Sequence, residues 1–128
     1  MKGFKQMLAE ANAMIETISV QQALELANDT SVQFVDVREQ VELNAGGTIP
    51  GAVHAPRGLL EFLADPESPS HKKQLSSGKL LILFCASGGR SALASKTLTD
   101  MGVPRICHIA GGFNAWKAAN GPVGPAGT

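Results

Sequence analysis

Leu80-Leu81-Ile82-Leu83-Phe84-Cys85-Ala86-Ser87-Gly88-Gly89-Arg90-Ser91 is the stretch from which the rest of the chain can be read. Its first five residues are apolar at every position, so both faces must be covered, which is the pattern of a strand buried in a parallel sheet. Beyond Ser91, Ala92, Leu93, Leu98 and Met101 give the apolar face of a helix that closes at Gly102. Cys85 thus falls at a strand-to-helix turn, opposite the positive end of a helix dipole and its unpaired amides, a setting that favours thiolate over thiol. Gly88 and Gly89 carry no Cβ, so successive amides of Ala86, Ser87, Gly88, Gly89, Arg90 and Ser91 are free to turn inward around one anion. An intracellular cysteine at a strand end is more commonly a small buried hydrophobe. The strand before it, the paired glycines and the helix after it favour a nucleophile here.

Working outward, strands and helices alternate. Phe4, Met7, Leu8, Ala11, Met14 and Ile15 have helical spacing and predict an N-terminal amphipathic helix over 1–16, packed by its apolar face on the body of the domain. A short strand is expected over 17–20, a helix capped by Ser19 running to Asn28, and a strand over 32–37. Residues 38–44 read as a short helix ended by Ala45-Gly46-Gly47, Thr48-Ile49-Pro50-Gly51 as a turn, and 52–54 as a brief strand. Two helical fragments are expected over 59–63 and, after a proline-marked loop, over 71–75. Residues 105–109 supply the last strand, 113–119 the last helix, and 124–128 a loose Gly/Pro-rich tail. The alternation argues for an open, mostly parallel α/β sheet, in which sites collect at the carboxyl ends of strands, where Cys85 stands.

With 128 residues, 44% hydrophobic and 17% charged, the chain suits one domain with an ordinary core and excludes wholesale disorder. Its 11 basic and 11 acidic residues cancel, so no global field recruits nucleic acid or an anionic membrane, and attraction for an anion must be local. Two cysteines without a Cys-x-x-Cys pair or a Cys/His cluster supply neither a disulfide framework nor a zinc site, which favours a reducing compartment. Glu10, Asn12 and Glu16 interrupt the apolar run a signal peptide needs, and no stretch of about 18 apolar residues occurs. A cytoplasmic protein without metal or cofactor is expected.

Four ordered segments resemble the rhodanese family of sulfurtransferases in its single-domain form. They are Val35-Asp36-Val37-Arg38-Glu39, Ile49-Pro50-Gly51-Ala52-Val53-His54-Ala55-Pro56-Arg57, the 85–91 loop and Gly111-Gly112-Phe113-Asn114-Ala115-Trp116. The resemblance covers 17–123 as one rhodanese-like domain and implies a five-stranded, mostly parallel sheet flanked by helices on both faces. It implies that Cys85 takes a sulfane sulfur from a donor such as thiosulfate or a persulfide and passes it to cyanide or a thiol, the outer sulfur lying within the amides of 86–91. Such a relay needs an exposed, low-pKa thiolate and a preformed anion cradle but no strong base, so none of His54, His71 and His108 has to be catalytic. The implied partners are a small sulfur donor, a thiol or cyanide acceptor and, further, a sulfur-relay protein, with neither nucleic acid nor membrane, on a monomer or weak homodimer.

Two departures from the family pattern bear on the substrate. Thiosulfate-preferring members tend to carry basic residues just after the cysteine, where this chain has Ala86 and Ser87, and Gly46-Gly47-Thr48 replaces the usual glycine-histidine pair, leaving Thr48 without a role. Four residues separate Cys85 from Arg90, whereas related phosphatases and arsenate reductases use five, a wider ring for a tetrahedral oxyanion. Those activities, a redox-sensing thiol and a non-catalytic rhodanese-like interaction module stand as the alternatives. Arg90 opposes the dipole at the start of its helix, so it is assigned to substrate attraction or thiolate stabilisation. Arg57 is a candidate oxyanion ligand at the pocket rim, weighed against a solvated surface arginine. Asp36 and Arg38 are assigned supporting roles, while Ser87 and Ser91 either donate to the persulfide or cap the helix. Cys107 reads as a core residue of the last strand rather than a resolving thiol, and Trp116 as packing for the last helix.

Overall fold

Alternation along the central strand, β4 (Leu80–Phe84), divides the interior in two. Leu81, Leu83 and, just past the strand, Cys85 enter one buried cluster, whereas Ile82 and Phe84 enter a second on the opposite face. The computed structural model, which describes residues 1–126, places β4 within a five-stranded sheet of order β1-β5-β4-β2-β3, every pair parallel. The other strands are β1 (Glu16–Ile18), β2 (Val32–Asp36), β3 (Val53–His54) and β5 (Ile106–Ile109). The helices are α1 (Phe4–Met14), α2 (Val20–Glu25), α3 (Gln40–Gly46), α4 (Leu60–Ala64), α5 (Gly89–Asp100) and α6 (Gly112–Ala118). Leu60 and Leu63 of α4 and Ala94 and Leu98 of α5 cover the Cys85 side, while Ala23 of α2 and Phe113 and Trp116 of α6 cover the other. Each large apolar side chain removed from water stabilises by about 1.5–3 kcal/mol, which is why an all-apolar β4 settles at the centre.

The departures from the sequence expectations have local causes. The first strand ends at Ile18 because Ser19 leaves it to cap α2: the Gln22 amide donates to Ser19 Oγ at 3.1 Å and the Ser19 amide to Gln22 Oε1 at 2.8 Å. The helix expected from residue 38 starts at Gln40, because Asp36 Oδ1 accepts the Arg38 amide at 3.0 Å and holds that residue in a turn. In place of a helix over 71–75 there is a single 3₁₀ turn, Lys73–Ser76, and another, Arg57–Leu59, leads into α4. α1 packs on α5, yet of its apolar stripe only Ala11 is buried; Phe4, Met7 and Met14 face solvent, so the expected packing of the whole face is corrected. At the C-terminal end, Gly124 and Thr48 exchange both backbone hydrogen bonds at 2.9 Å, so the tail expected to be loose from 124 is held at its first residue. Residues 127–128 of that tail lie outside the described residues. No helix among those described is long and apolar enough to cross a membrane.

Candidate active site

Parallel strands present their carboxyl ends together, and three of them converge on Cys85. Asp36 and Phe84 lie side by side in the β2–β4 register, and the Val37 amide donates to the Phe84 carbonyl at 3.0 Å. From there the chain turns through residues 85–88 into α5, with Gly88 at the N-cap in a left-handed conformation, φ +115°. The turn brings the amides of Gly88 and Ser91 to within 3.2 and 3.4 Å of Cys85 Sγ, and the Ser91 hydroxyl to 3.6 Å. Behind the loop, the start of α6 fixes its backbone: the Phe113 amide donates to the Cys85 carbonyl at 2.8 Å and the Asn114 amide to that of Ala86 at 3.0 Å. Gly112 makes this approach possible. At φ +58° a Cβ there would run into the Cys85 carbonyl oxygen and the Ala86 backbone.

Two opposed effects set the protonation of Cys85. Burial, the larger single effect, pushes the thiol up, but the Ser91 hydroxyl and the amides of Ser91, Gly88 and Ser87 together outweigh it, so the pKa lies below the ordinary thiol value. The sequence expectation of an exposed thiolate is corrected, because Cys85 is 1% exposed. Its own cradle covers it: the donors that stabilise the anion must touch the sulfur, and so they exclude water. At the rim Ser87 is exposed, while Ala86, Gly88, Gly89 and Arg90 are half-buried. Of the six residues 86–91, the structure brings the amides of Gly88 and Ser91 directly onto Sγ in hydrogen-bond geometry.

The charged candidates fall in three separate places. Arg90 extends its fork to Glu42 of α3, at 2.7 and 2.9 Å. That bidentate bond holds the Glu42 carboxyl down to about 2 and raises the guanidinium further, the charge of Cys85 adding to the latter effect. Arg57 donates to both Glu61 oxygens, at 3.2 and 3.3 Å, and to Thr97 at 3.2 Å; among the described residues no hydrogen bond joins it to the 85–91 loop. Asp36 and Arg38 form a buried, bidentate pair at 3.0 and 2.8 Å. Arg38 also donates to the Gly47 carbonyl at 2.8 Å and lies 4.4 Å over the Phe113 ring, on the face of the sheet away from Cys85. This pair ties β2, the start of α6 and the chain after α3 together behind the loop, without touching the sulfur.

Three residues escaped the sequence reading. Thr48, given no role, is 2% exposed and donates to Asp36 Oδ2 at 2.7 Å. Glu42 is the partner of Arg90 across 48 positions, a pairing that no local pattern announces. His108, 3% exposed, reaches Ser91 Oγ through Nδ1 at 2.9 Å and Thr17 Oγ1 through Nε2 at 3.0 Å. Its signal was available as an imidazole interrupting the otherwise apolar run Ile106-Cys107-His108-Ile109.

Comparison with known proteins gives a consistent result. A family model described as rhodanese-like domain matches residues 19–119. An uncharacterized protein from Synechocystis is 36% identical over 106 residues, 83% of this chain, and the chain spans 54% of that relative's length. A sulfurtransferase from Allochromatium vinosum is 31% identical over 98 residues, covering 77% of this chain and 83% of the relative. Among solved structures, a Rhodopseudomonas palustris protein of unknown function, described as a possible tyrosine phosphatase, is 44% identical and superposes with a TM-score of 0.93 over 97% of this chain and 96% of its own. The polysulfide-sulfur transferase homodimer from Wolinella succinogenes is 29% identical, with a TM-score of 0.69 over 96% of this chain and 88% of that one.

Proposed function

The chain belongs to the rhodanese-like domain family, and from that premise we propose that it is a sulfurtransferase whose Cys85 takes a sulfane sulfur from thiosulfate or a persulfide and hands it to cyanide or a thiol. The observation that carries the reading is the sulfur held by two main-chain amides and a hydroxyl, with a pKa below the ordinary thiol value. In the first step the thiolate attacks the sulfane sulfur; a new S–S bond forms, and the donor's bond breaks with its electron pair leaving on sulfite or on the donor thiolate. In the second step the acceptor attacks the outer sulfur, and the same S–S bond returns its pair to Cys85. No proton has to be removed from Cys85 in either step once it is ionised, which suits a site built from donors rather than bases.

The outer sulfur sits about 2.05 Å beyond Sγ. The amides of Gly89 and Arg90, in the first turn of α5, have no carbonyl within that helix to bond, which leaves them as the donors assigned to it in this proposal. Because Cys85 is 1% exposed, a donor reaches it through the rim at residues 87–89, where two glycines give little side-chain bulk to displace. A phosphatase reading, suggested by the description of the Rhodopseudomonas relative, is disfavoured by the four-residue spacing and by Arg90 being already paired with Glu42.

Intact-mass analysis after exposure to thiosulfate, polysulfide and glutathione persulfide tests the proposal. The expected result is the gain of one sulfur, mapping to the Cys85 peptide and removed by cyanide with release of thiocyanate. Failure to acquire sulfur from any of these donors, together with hydrolysis of an aryl phosphate, would overturn it.

A further inference from the structure

We propose that His108 is a positioning residue: as the neutral Nδ1–H tautomer, backed by Thr17, it directs the Ser91 hydroxyl proton onto Cys85 Sγ. The four groups form one continuous chain. Cys85 Sγ lies 3.6 Å from Ser91 Oγ, Ser91 Oγ 2.9 Å from His108 Nδ1, and His108 Nε2 3.0 Å from Thr17 Oγ1. The fold builds it from four elements. Leu83 of β4 is in register with His108 of β5, and His108 with Thr17 of β1, so strand alternation puts Leu83, Cys85 and the His108 side chain on the face that α5 covers with Ser91.

Counting protons decides what the chain does. Ser91 has one hydroxyl proton and three acceptors in reach: Sγ at 3.6 Å, the Gly88 carbonyl at 3.2 Å and His108 Nδ1 at 2.9 Å. If Nδ1 were bare it would be the closest acceptor and would draw the proton away from sulfur. With a proton on Nδ1 that competitor becomes a donor into a Ser91 lone pair, and the charged thiolate outcompetes the neutral carbonyl. Nε2 is then the bare nitrogen and accepts from the Thr17 hydroxyl, which as donor or acceptor accommodates this tautomer; what favours it is the charge on sulfur, which gains the Ser91 proton only when Nδ1 is protonated. Burial lowers the His108 pKa, so the ring stays neutral and a fixed tautomer is meaningful. The charges near this chain are Arg90, whose guanidinium feels the Cys85 charge, and its partner Glu42; Glu16, adjacent to Thr17, acts instead on Cys107.

The inference rests on Cys85 being the reactive thiol, but its readout needs no sulfur donor. The test measures the Cys85 thiol pKa from the pH dependence of iodoacetamide alkylation, resolved by peptide mass, in the wild type, His108→Leu, His108→Asn and Thr17→Val. His108→Leu leaves the Ser91 hydroxyl without the donor that fills its lone pair, free to turn between sulfur and the Gly88 carbonyl, so a partial loss of that hydrogen bond is expected: a rise of up to about one pKa unit, or up to about tenfold slower alkylation below the midpoint. His108→Asn, whose side-chain amide nitrogen falls where Nδ1 was, is expected to hold the wild-type midpoint. Thr17→Val, a change on an exposed edge strand that leaves the core intact, is expected to raise it by a smaller amount. An unmoved midpoint in the Leu variant, or equal shifts in Leu and Asn, would overturn the proposal; should the Leu variant not fold, an unmoved midpoint in Thr17→Val does so. A low wild-type midpoint without sulfur uptake would instead count against the sulfur-transfer reading.

Discussion

Cys85, just past the end of β4, and Cys107, within the neighbouring β5, carry the same side chain, both buried to 1% exposure or less, and their chemistry is opposite. Cys107 is in register with Ile82 and joins the cluster of Phe34, Phe84 and Trp116, where burial and the charge of Glu16 push its thiol up to about 12. Cys85 lies on the other face, one step past its strand, where the backbone has run out of sheet partners and turns its amides onto the sulfur. Burial alone therefore says nothing about reactivity; what separates the two thiols is whether donors accompany the loss of water. The period-two alternation that sends them to opposite faces also prevents Cys107 from acting as a resolving thiol.

The comparison breaks most sharply by deletion. Cys85→Ser is expected to lower thiocyanate formation by at least about 10³-fold, since the nucleophile itself is lost, while Cys107→Ser is expected to leave it within about twofold. The Cys107 change should appear in urea unfolding instead, as a loss of about 1–3 kcal/mol for a hydroxyl buried without a partner. Comparable loss of activity in both variants would contradict the assignment of the two roles.

The same contrast predicts a stability profile with two limbs. For Cys85 the folded pKa lies below that of the unfolded chain, so from the folded value up to about pH 9 the unfolded state binds more protons and stability rises with pH. For Cys107 the folded value is above the unfolded one: its contribution is intact below about pH 9 and is lost as the unfolded thiol ionises, by about 4 kcal/mol once pH reaches about 12. The chain has no tyrosine, so that group does not mask the alkaline limb. Urea midpoints followed from about pH 7 to about pH 11 should fall less steeply above pH 9 in Cys107→Val than in the wild type. Parallel curves would show that Cys107 is not the group held protonated.

What the sequence disclosed follows the same division between local and distant causes. β4, the glycine pair and α5 are all properties of neighbouring residues, so the strand, the turn and the placing of Cys85 were readable from one stretch. The Ser19 cap was likewise local, and only the strand end it displaced was misjudged by two residues. Pairings across the sheet were not readable. Glu42 meets Arg90, Thr48 meets Asp36, and His108 meets Ser91 and Thr17, because strand order and register juxtapose them, and those emerge from packing rather than from any single segment. The exposure of Cys85 was misread for a related reason: an amide cradle was expected, but that the cradle would also cover the sulfur depends on three-dimensional closeness.

The smallest expected effect concerns Arg90, and Glu42→Gln is the change that separates its two readings. The Arg90 and Glu42 side chains are 40% and 30% exposed, so the pair contributes only about 0.2–1 kcal/mol to stability, and the variant should fold normally. The Glu42 carboxyl, held at about 2, adds stability above its ordinary range near 4.5 that disappears as pH falls toward 2, so the pair stays ionised wherever sulfur transfer is assayed. Any effect of the variant at neutral pH is thus a loss of charge, not of a titration. If Arg90 serves donor attraction and Glu42 merely restrains it, neutralising Glu42 leaves one net positive charge beside the rim. The kcat/KM for thiosulfate should then rise by about two- to fivefold while that for an uncharged trisulfide donor stays level. If Arg90 is instead a brace between α3 and the start of α5, both donors should lose activity together. An unchanged donor ranking in Arg90→Ala as well would remove this residue from the mechanism, and the amide cradle with Ser91 would be left as the whole distinction between the two cysteines.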